Sequence, residues 1–358
     1  MNIRDIRQKE FSDIFLQMKS NGILYLCPRF GKCRVGINIL KAVDNPKVLI
    51  AYPEENIKNS WIKDFNETNF DYSNVSFTTF RSLHKQMEEV YDLIIVDEIH
   101  LLSDAQIEVL RCIIKKGIRV LGLTGTMSNW TKTLLKRMLG MQVLASYSIF
   151  QAIEEGIIPD YSITIKIVPL DKKDKFLFGK KTKTEKAHFD AYSWAIDKTM
   201  ENNKDTMFLR LARMRLLQKS VAKLKETKKL IQTFINERLL VFSGLIDIAD
   251  SLGITSYHSK KKEKSIFSDF MEGKIPHLAV VDIGAVGSTY KPLSKVIINY
   301  FDSNPENLAQ KIFRCMSMEY NNPNKKADIW IISSNEKVEL DWLKKSLEFF
   351  DEKKIIYI

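Results

Sequence analysis

Two adjacent carboxylates, Asp97 and Glu98, follow Leu93-Ile94-Ile95-Val96, a run in which three of four apolar residues are Ile or Val. Such a run reads as a strand buried on both faces, as in a parallel sheet. Acids just past it sit at the strand's C-terminal end, where open α/β sheets bind ligands. Two ordinary acids in a surface turn are the competing reading. Upstream, Arg29-Phe30-Gly31-Lys32-Cys33-Arg34 links the apolar run Ile23–Pro28 to a helical segment, Val35 to Val43. Backbone N–H groups at a helix start, with a lysine beside them, suit the oxygens of a phosphate chain. Taken alone, a Gly-Lys pair at a helix start also fits a plain turn. The full phosphate-loop pattern needs a glycine where Leu26 stands and a hydroxyl where Cys33 stands.

Positioning these groups takes strands and helices in a set order. Arg4 opens a helix whose apolar face includes Ile6, Phe11, Ile14, Phe15 and Met18, and Asn21-Gly22 ends it. A second strand, Lys47 to Pro53, precedes a helix carrying Ile57, Trp61, Ile62 and Phe65. Val75 to Thr79 is a third strand and the Asp97 strand a fourth. A helix from Ser103 to Lys116 follows, with Ser103 as N-cap and Gly117 as stop. A fifth strand runs from Arg119 into Leu123-Thr124-Gly125-Thr126. Strands alternating with helices at this spacing predict an α/β unit, a doubly wound and mainly parallel sheet.

Between Asp160 and Arg238 the pattern changes. Tyr161 to Leu170 alternates like a strand. Asp171 to Lys186 holds seven lysines and little apolar content, which predicts an exposed basic loop. It is either a solvated face or a contact for a phosphate backbone. Two amphipathic helices follow, near residues 189–202 and 205–235. A second α/β unit then starts, with strands at Leu239–Gly244, Ile254–His258, His277–Asp282, Ser294–Phe301 and Ala327–Ser333 and a basic helix from Lys260 to Met271. The expected domains are residues 1–158 and 159–358, the second carrying the basic loop and helical segment at about 171–235.

The 358 residues suffice for two sizeable cores, and 45% hydrophobic content is that of a globular protein. Fifty-five Lys and Arg against 44 Asp and Glu give a net charge of +11. That excess suits a polyanion, and equally a soluble protein with a lysine-rich surface. Cys27, Cys33, Cys112 and Cys315 form no C-x-x-C pair, which argues against a zinc site. With no signal-like N-terminus, they read as reduced thiols of a cytoplasmic protein, in the host cytoplasm if the source is viral. No apolar run approaches the ~18–20 residues needed to span a bilayer, so no membrane partner is expected.

With these residues in order, the chain resembles superfamily 2 helicases and translocases of the DExH-box type, in a minimal two-domain form like those of phages and mobile elements. Gln8 matches an upstream glutamine that reads adenine in that family. Pro28 to Arg34 matches motif I, and Tyr52-Pro53 through Trp61 looks like motif Ia. Phe77 to Leu83 looks like motif Ib, and Asp97-Glu98-Ile99-His100 is similar to the DExH box, motif II. Leu123 to Thr126 is similar to motif III and Leu240 to Ser243 to motif IV. Tyr257-His258-Ser259, Glu263, Phe270 and Gly273 match the run leading into motif V. Asp282 to Gly287 matches motif V in its acid-to-glycine spacing. Gln310 to Arg314 matches the first half of motif VI. The resemblance covers nearly the whole chain except about residues 171–205.

The resemblance implies two RecA-like domains, each a mainly parallel sheet with helices on both faces. It implies ATP hydrolysis with Mg²⁺, coupled to movement on or remodelling of nucleic acid, DNA favoured over RNA. Lys32 would hold the β/γ-phosphates, and Gln8, Arg29, Phe30, Gly31, Cys33, Arg34 and Gly287 would complete the nucleotide site. Asp97 would hold Mg²⁺ through water, and Glu98 would orient the attacking water. His100 would link this site to the domain interface. Arg314 would reach the γ-phosphate as a finger, and Gln310 would sense closure. Pro53, Thr79, Arg81, Thr126, Ser243, Gly244, Ser288 and Thr289 would contact nucleic acid, with His258 and Lys260–Lys262 as weaker candidates. The expected form is a monomer that takes its specificity from a protein partner.

Two positions depart from the family. Cys33 replaces the Ser or Thr whose hydroxyl binds Mg²⁺, and a thiol is a softer ligand. Ser317 stands where the second arginine of motif VI is usual. These departures motivate an alternative, a nucleic-acid-binding scaffold with a degenerate, weak ATPase inside a larger complex.

Overall fold

A computed structural model describes residues 2–44, 46–114, 117–261, 263–281, 293–318, 322 and 324–358. The chain divides into two compact units after Ile158.

The first unit runs α1 (Ile3–Met18), β1 (Gly22–Leu26), α2 (Lys32–Lys41), β2 (Val48–Tyr52), α3 (Glu55–Glu67), β3 (Val75–Thr79) and β4 (Leu93–Asp97). It continues with α4 (Asp104–Ile114), β5 (Arg119–Thr124), α5 (Asn129–Leu139), β6 (Val143–Tyr147) and α6 (Ile149–Glu154). Its six strands lie in the order β3-β2-β4-β5-β1-β6, all parallel. A parallel sheet must be covered on both faces, and the alternation along β4 shows how. Ile94 and Val96 pack into a core with Ile107 and Leu110 of α4 and Leu135 of α5. Ile95 points the other way, toward Gly36 of α2 and Trp61 of α3. A Cβ on Gly36 would lie 2.5 Å from the Trp61 ring, so α2 and α3 meet this closely only because residue 36 has no side chain.

The second unit runs β7 (Asp160–Val168), β8 (Lys175–Phe178), β9 (Lys181–Thr184), α7 (Glu185–Glu201), α8 (Met207–Gln218), α9 (Val221–Thr233), β10 (Leu239–Ser243), α10 (Ile246–Ser251) and β11 (Thr255–Tyr257). It ends with α11 (Lys264–Glu272), β12 (His277–Val281), β13 (Lys295–Ile298), α12 (Pro305–Ile312), β14 (Lys326–Ser334), α13 (Lys337–Leu347) and β15 (Ile355–Tyr357). Seven of its strands form a second parallel sheet, β11-β12-β10-β13-β14-β7-β15. Leu239 and Val241 of β10, Ala279 of β12 and Ile297 of β13 pack under Leu230 and Ile231 of α9. Inside this unit Lys223 of α9 and Glu339 of α13 form a fully buried ion pair at 2.5 Å. The second Glu339 oxygen accepts the Ser334 N–H at 2.8 Å.

The expected basic loop is in fact an antiparallel hairpin, β8 with β9, leading straight into α7. Its register places Phe176 and Phe178 on one face. That face packs on His188 and Tyr192 of α7, with Leu170, Phe189, Leu216 and Leu217 completing a small separate core. The Lys183 N–H donates to His188 Nε2 at 3.2 Å. Lysine-rich composition hides this pattern, because only two apolar residues are needed to bury one side of a two-stranded ribbon. The long helical segment divides at Lys219-Ser220, where the Ser220 side chain caps α9.

Candidate nucleotide site

In the first unit β4, β5 and β1 are neighbours, and their C-terminal ends bring three separate stretches together. The register pairs Asp97 with Leu123 and Thr124 with Tyr25. Asp97-Glu98, Thr124-Gly125-Thr126 and the loop from Cys27 to Gly31 therefore leave the sheet side by side.

The loop is shaped by two left-handed residues, Arg29 (φ 67°) and Gly31 (φ 97°). Gly31 is the N-cap of α2, and no side chain caps that helix. The N–H groups of its first turn thus face outward, and an anion is their natural partner. Phe30 turns inward, fully buried against Phe11 and Tyr147. Its carbonyl accepts from Gln8 Nε2 at 2.8 Å, so buried Gln8 braces the loop. Arg34 is directed to α3, where it pairs with Asp64 and Glu67.

Lys32 Nζ lies 2.8 Å from Glu98 Oε1. A Cβ on Gly125 would come within 3.1 Å of that Nζ and 3.0 Å of Pro28, so the space there is reserved for backbone. Burial works against the Lys32 charge, but Glu98 and Asp97 outweigh it and hold its pKa above the usual lysine value. Glu98 is itself left-handed (φ 53°), a conformation costing about 1–2 kcal/mol outside glycine. Burial raises its carboxyl, yet Lys32, then His100, and the Gly125 N–H bring it below the ordinary range. Asp97 goes the other way. Burial, and the Glu98 charge beside it, push its carboxyl well above the usual value. Its Oδ2 accepts from the Trp61 indole at 3.0 Å. Its Oδ1 is buried and has no hydrogen-bond partner of good geometry among the described residues.

His100 ties the carboxylates to the end of β5. Thr124 Oγ1 donates to the Thr126 carbonyl at 2.7 Å and lies 2.8 Å from His100 Nδ1. The hydroxyl has one proton, already committed, so His100 Nδ1–H is assigned as the donor to it. Thr126 Oγ1 faces Nε2 at 3.5 Å. Thr126, expected on nucleic acid, is therefore buried against His100 instead. Trp61 and Thr124 are site residues that composition does not reveal. Trp61 reads as one more apolar helix position, and its partner lies 36 residues away.

Three nucleic-acid candidates do share the sheet's C-terminal edge. Tyr52 and Thr79 are register partners, so Pro53 and Thr79 leave β2 and β3 together, and Arg81 is exposed two residues on. In the second unit Ser243 ends β10 and Gly244 follows it. Both are buried, and a Cβ on Gly244 would meet the Tyr300 ring at 2.7 Å. Gln310 is half-buried on α12, and Arg314 is half-buried in the single turn Phe313–Cys315. Ser317 is buried, with no partner for its hydroxyl among the described residues. His258, also buried, bonds Asp250 at 3.0 Å. Gly287, Ser288 and Thr289, and with them the motif V stretch, lie outside the described residues, as does Lys262.

The divalent cation that the sequence resemblance implies fits one observation here. An orphaned, buried carboxylate oxygen with a raised pKa is what a cation relieves. No group of three or more His, Cys, Asp or Glu able to hold a metal occurs among the described residues. Asp97 alone suits Mg²⁺, which keeps most of its water and borrows oxygens from phosphates.

Two parallel sheets in one chain, each with helices, match the fold of paired RecA-like units seen in solved helicase domains. Among solved structures, the Pyrococcus furiosus Hef helicase domain superposes with TM-score 0.54 at 12% identity, over 96% of this chain and 99% of that chain. S. cerevisiae Dbp5 bound to RNA and ADP BeF3 superposes with TM-score 0.60 at 10% identity, over 95% of this chain and 85% of that chain. A variant of Dbp5 in the same bound state gives TM-score 0.58 at 12% identity, with the same coverage. No protein-family model matches the sequence, and no curated protein matches it.

Proposed function

We propose that this chain is a nucleic-acid-stimulated ATPase that works as a helicase or translocase. The observation that carries the reading is the meeting of Lys32, Asp97, Glu98 and the Gly125 N–H at the ends of three neighbouring strands. A triphosphate chain would occupy the N-terminus of α2, with Lys32 released from Glu98 to its β/γ-phosphates. Glu98, then freed of its lysine and still steadied by Gly125 and His100, would orient and deprotonate the attacking water. Asp97 would hold Mg²⁺ through water, and the ion would neutralise charge on the phosphates. Arg314 and Gln310 of the second unit would complete the site when nucleotide is bound, as finger and closure sensor. Pro53, Thr79 and Arg81 in the first unit would hold phosphates of the strand without reading bases. The exposed lysines of the β8–β9 hairpin would add backbone contacts. DNA is the favoured substrate, although Dbp5 was solved with RNA.

A second reading, a nucleic-acid scaffold with a weak engine, draws on Cys33 and on buried Ser317, which offers no cation where the family has one. Steady-state ATPase against single- and double-stranded DNA and RNA separates the two. Turnover raised by a nucleic acid supports the motor. Tight binding with no turnover supports the scaffold. Cys33→Thr with Ser317→Arg would then restore hydrolysis.

A further inference from the structure

α8, Met207–Gln218, carries three arginines and no acid. Arg210 turns back to the Met200 sulfur of α7 at 3.5 Å, and Arg213 to the Ser193 hydroxyl at 3.1 Å. Arg215 points into solvent. None of the three meets a carboxylate among the described residues. The acid just ahead of the helix, Asp205, is engaged in accepting the Met207 N–H at 2.8 Å. Near the start of α8 the Phe208 ring is 82% exposed. Phe208, Leu211, Arg215 and Lys219 follow one another in steps of three and four residues, so they share one side of the helix. That side is an aromatic ring followed by two cations.

The far end of α8 is fixed to the C-terminal edge of the second sheet. A Cβ on Gly244, just past β10, would lie 3.0 Å from Gln218 Cγ. Lys219 Nζ lies 3.2 Å from Asp247 in the first turn of α10. Gln218 and Tyr300 thus cover Gly244, and α8 supplies the surface that the end of β10 does not. From Gln218 the helix carries Phe208 roughly 15 Å outward, at 1.5 Å per residue.

On the nucleic-acid reading above, we propose that the outer side of α8 is a binding platform for single-stranded DNA: an unpaired base stacks on Phe208, and Arg215 holds a phosphate of the same strand. An aromatic ring with flanking cations and no acid suits the π-face and the charge of a single strand, and a duplex offers no free base face. Phe208, Leu211, Arg215 and Lys219 include no acceptor for a 2′-hydroxyl, the group that marks RNA, which agrees with DNA as occupant.

The test is fluorescence anisotropy of the full chain with a non-hydrolysable ATP analogue, using labelled oligothymidylate, oligouridylate and a DNA duplex at several salt concentrations. Phe208→Ala should weaken oligothymidylate binding by roughly 5- to 100-fold, the effect of losing one stacked base, with the salt slope unchanged. Phe208→Trp should keep the affinity, since any aromatic face can stack. Arg215→Ala should weaken binding and reduce the salt slope of log K by about 0.7, one phosphate contact on a single strand. Duplex binding should stay the same in Phe208→Ala. Oligothymidylate affinity that is unchanged in Phe208→Ala, that falls no more than duplex affinity, or that holds while oligouridylate affinity falls, overturns the platform and leaves the nucleic-acid reading standing. Failure of the unmutated chain to bind any of the three overturns that reading and the platform with it.

Discussion

Glu98 stands between two basic groups, Lys32 at 2.8 Å and the His100 ring at 3.5 Å. Of the two acids it is the one whose carboxyl is drawn below its ordinary range, which suits a water-activating base. Glu98→Gln keeps the shape and the Gly125 contact but removes the base. It should lower kcat by roughly 10²–10⁴-fold while leaving nucleotide affinity within a few-fold. Separate measurement of kcat and of analogue binding checks this, and unchanged turnover would remove Glu98 from its role. Trp61→Phe strips the indole donor from Asp97 Oδ2, leaving both oxygens of a buried carboxylate poorly served. Destabilisation of about 1–3 kcal/mol by urea unfolding is expected. Asp97, Glu98 and Lys32 stand out because each follows or precedes an apolar run. Arg34 looks like part of the loop, yet it serves α3, and nothing in a linear sequence tells a loop cation from a helix-bridging one.

The elements carry a different kind of test. Lys223 and Glu339 join α9 to α13 with both side chains fully buried. Removing one partner strands a buried charge, so Lys223→Met should cost about 3–5 kcal/mol. Lys223→Met with Glu339→Leu should recover part of that, though not the bond from Ser334 to Glu339. A double-mutant cycle in urea gives both numbers. In the hairpin, Lys180 and Lys181 are exposed at and beside the β8–β9 turn. Changing both to Ala should weaken binding evenly across sequences and reduce the salt slope of log K by about 2, one per lost phosphate contact. Anisotropy titrations at several salt concentrations measure it, and an unchanged slope would make the hairpin a solvated face. The hairpin and the edge strands β6 and β15 mark where linear patterning fails. β15 pairs with β7 across nearly the whole second unit, Ile355 against Ile163, and its three residues carry no periodic signal. β10 and β4 are plain in the sequence because central strands must be apolar on both faces.

For the whole molecule, the repeated strand–helix order of the sequence already implies two parallel sheets. Long-range ties such as Trp61 to Asp97 appear only once the sheet is assembled. What most needs testing is the proposal that the ends of β1, β4 and β5 form an ATPase governed by nucleic acid. The most direct measurement is steady-state ATP turnover of the full chain across single- and double-stranded DNA and RNA, with Glu98→Gln as control. Hydrolysis should rise on adding at least one nucleic acid and be lost in the variant. Turnover that no nucleic acid stimulates, in protein shown to be folded, or that persists in Glu98→Gln, would contradict it.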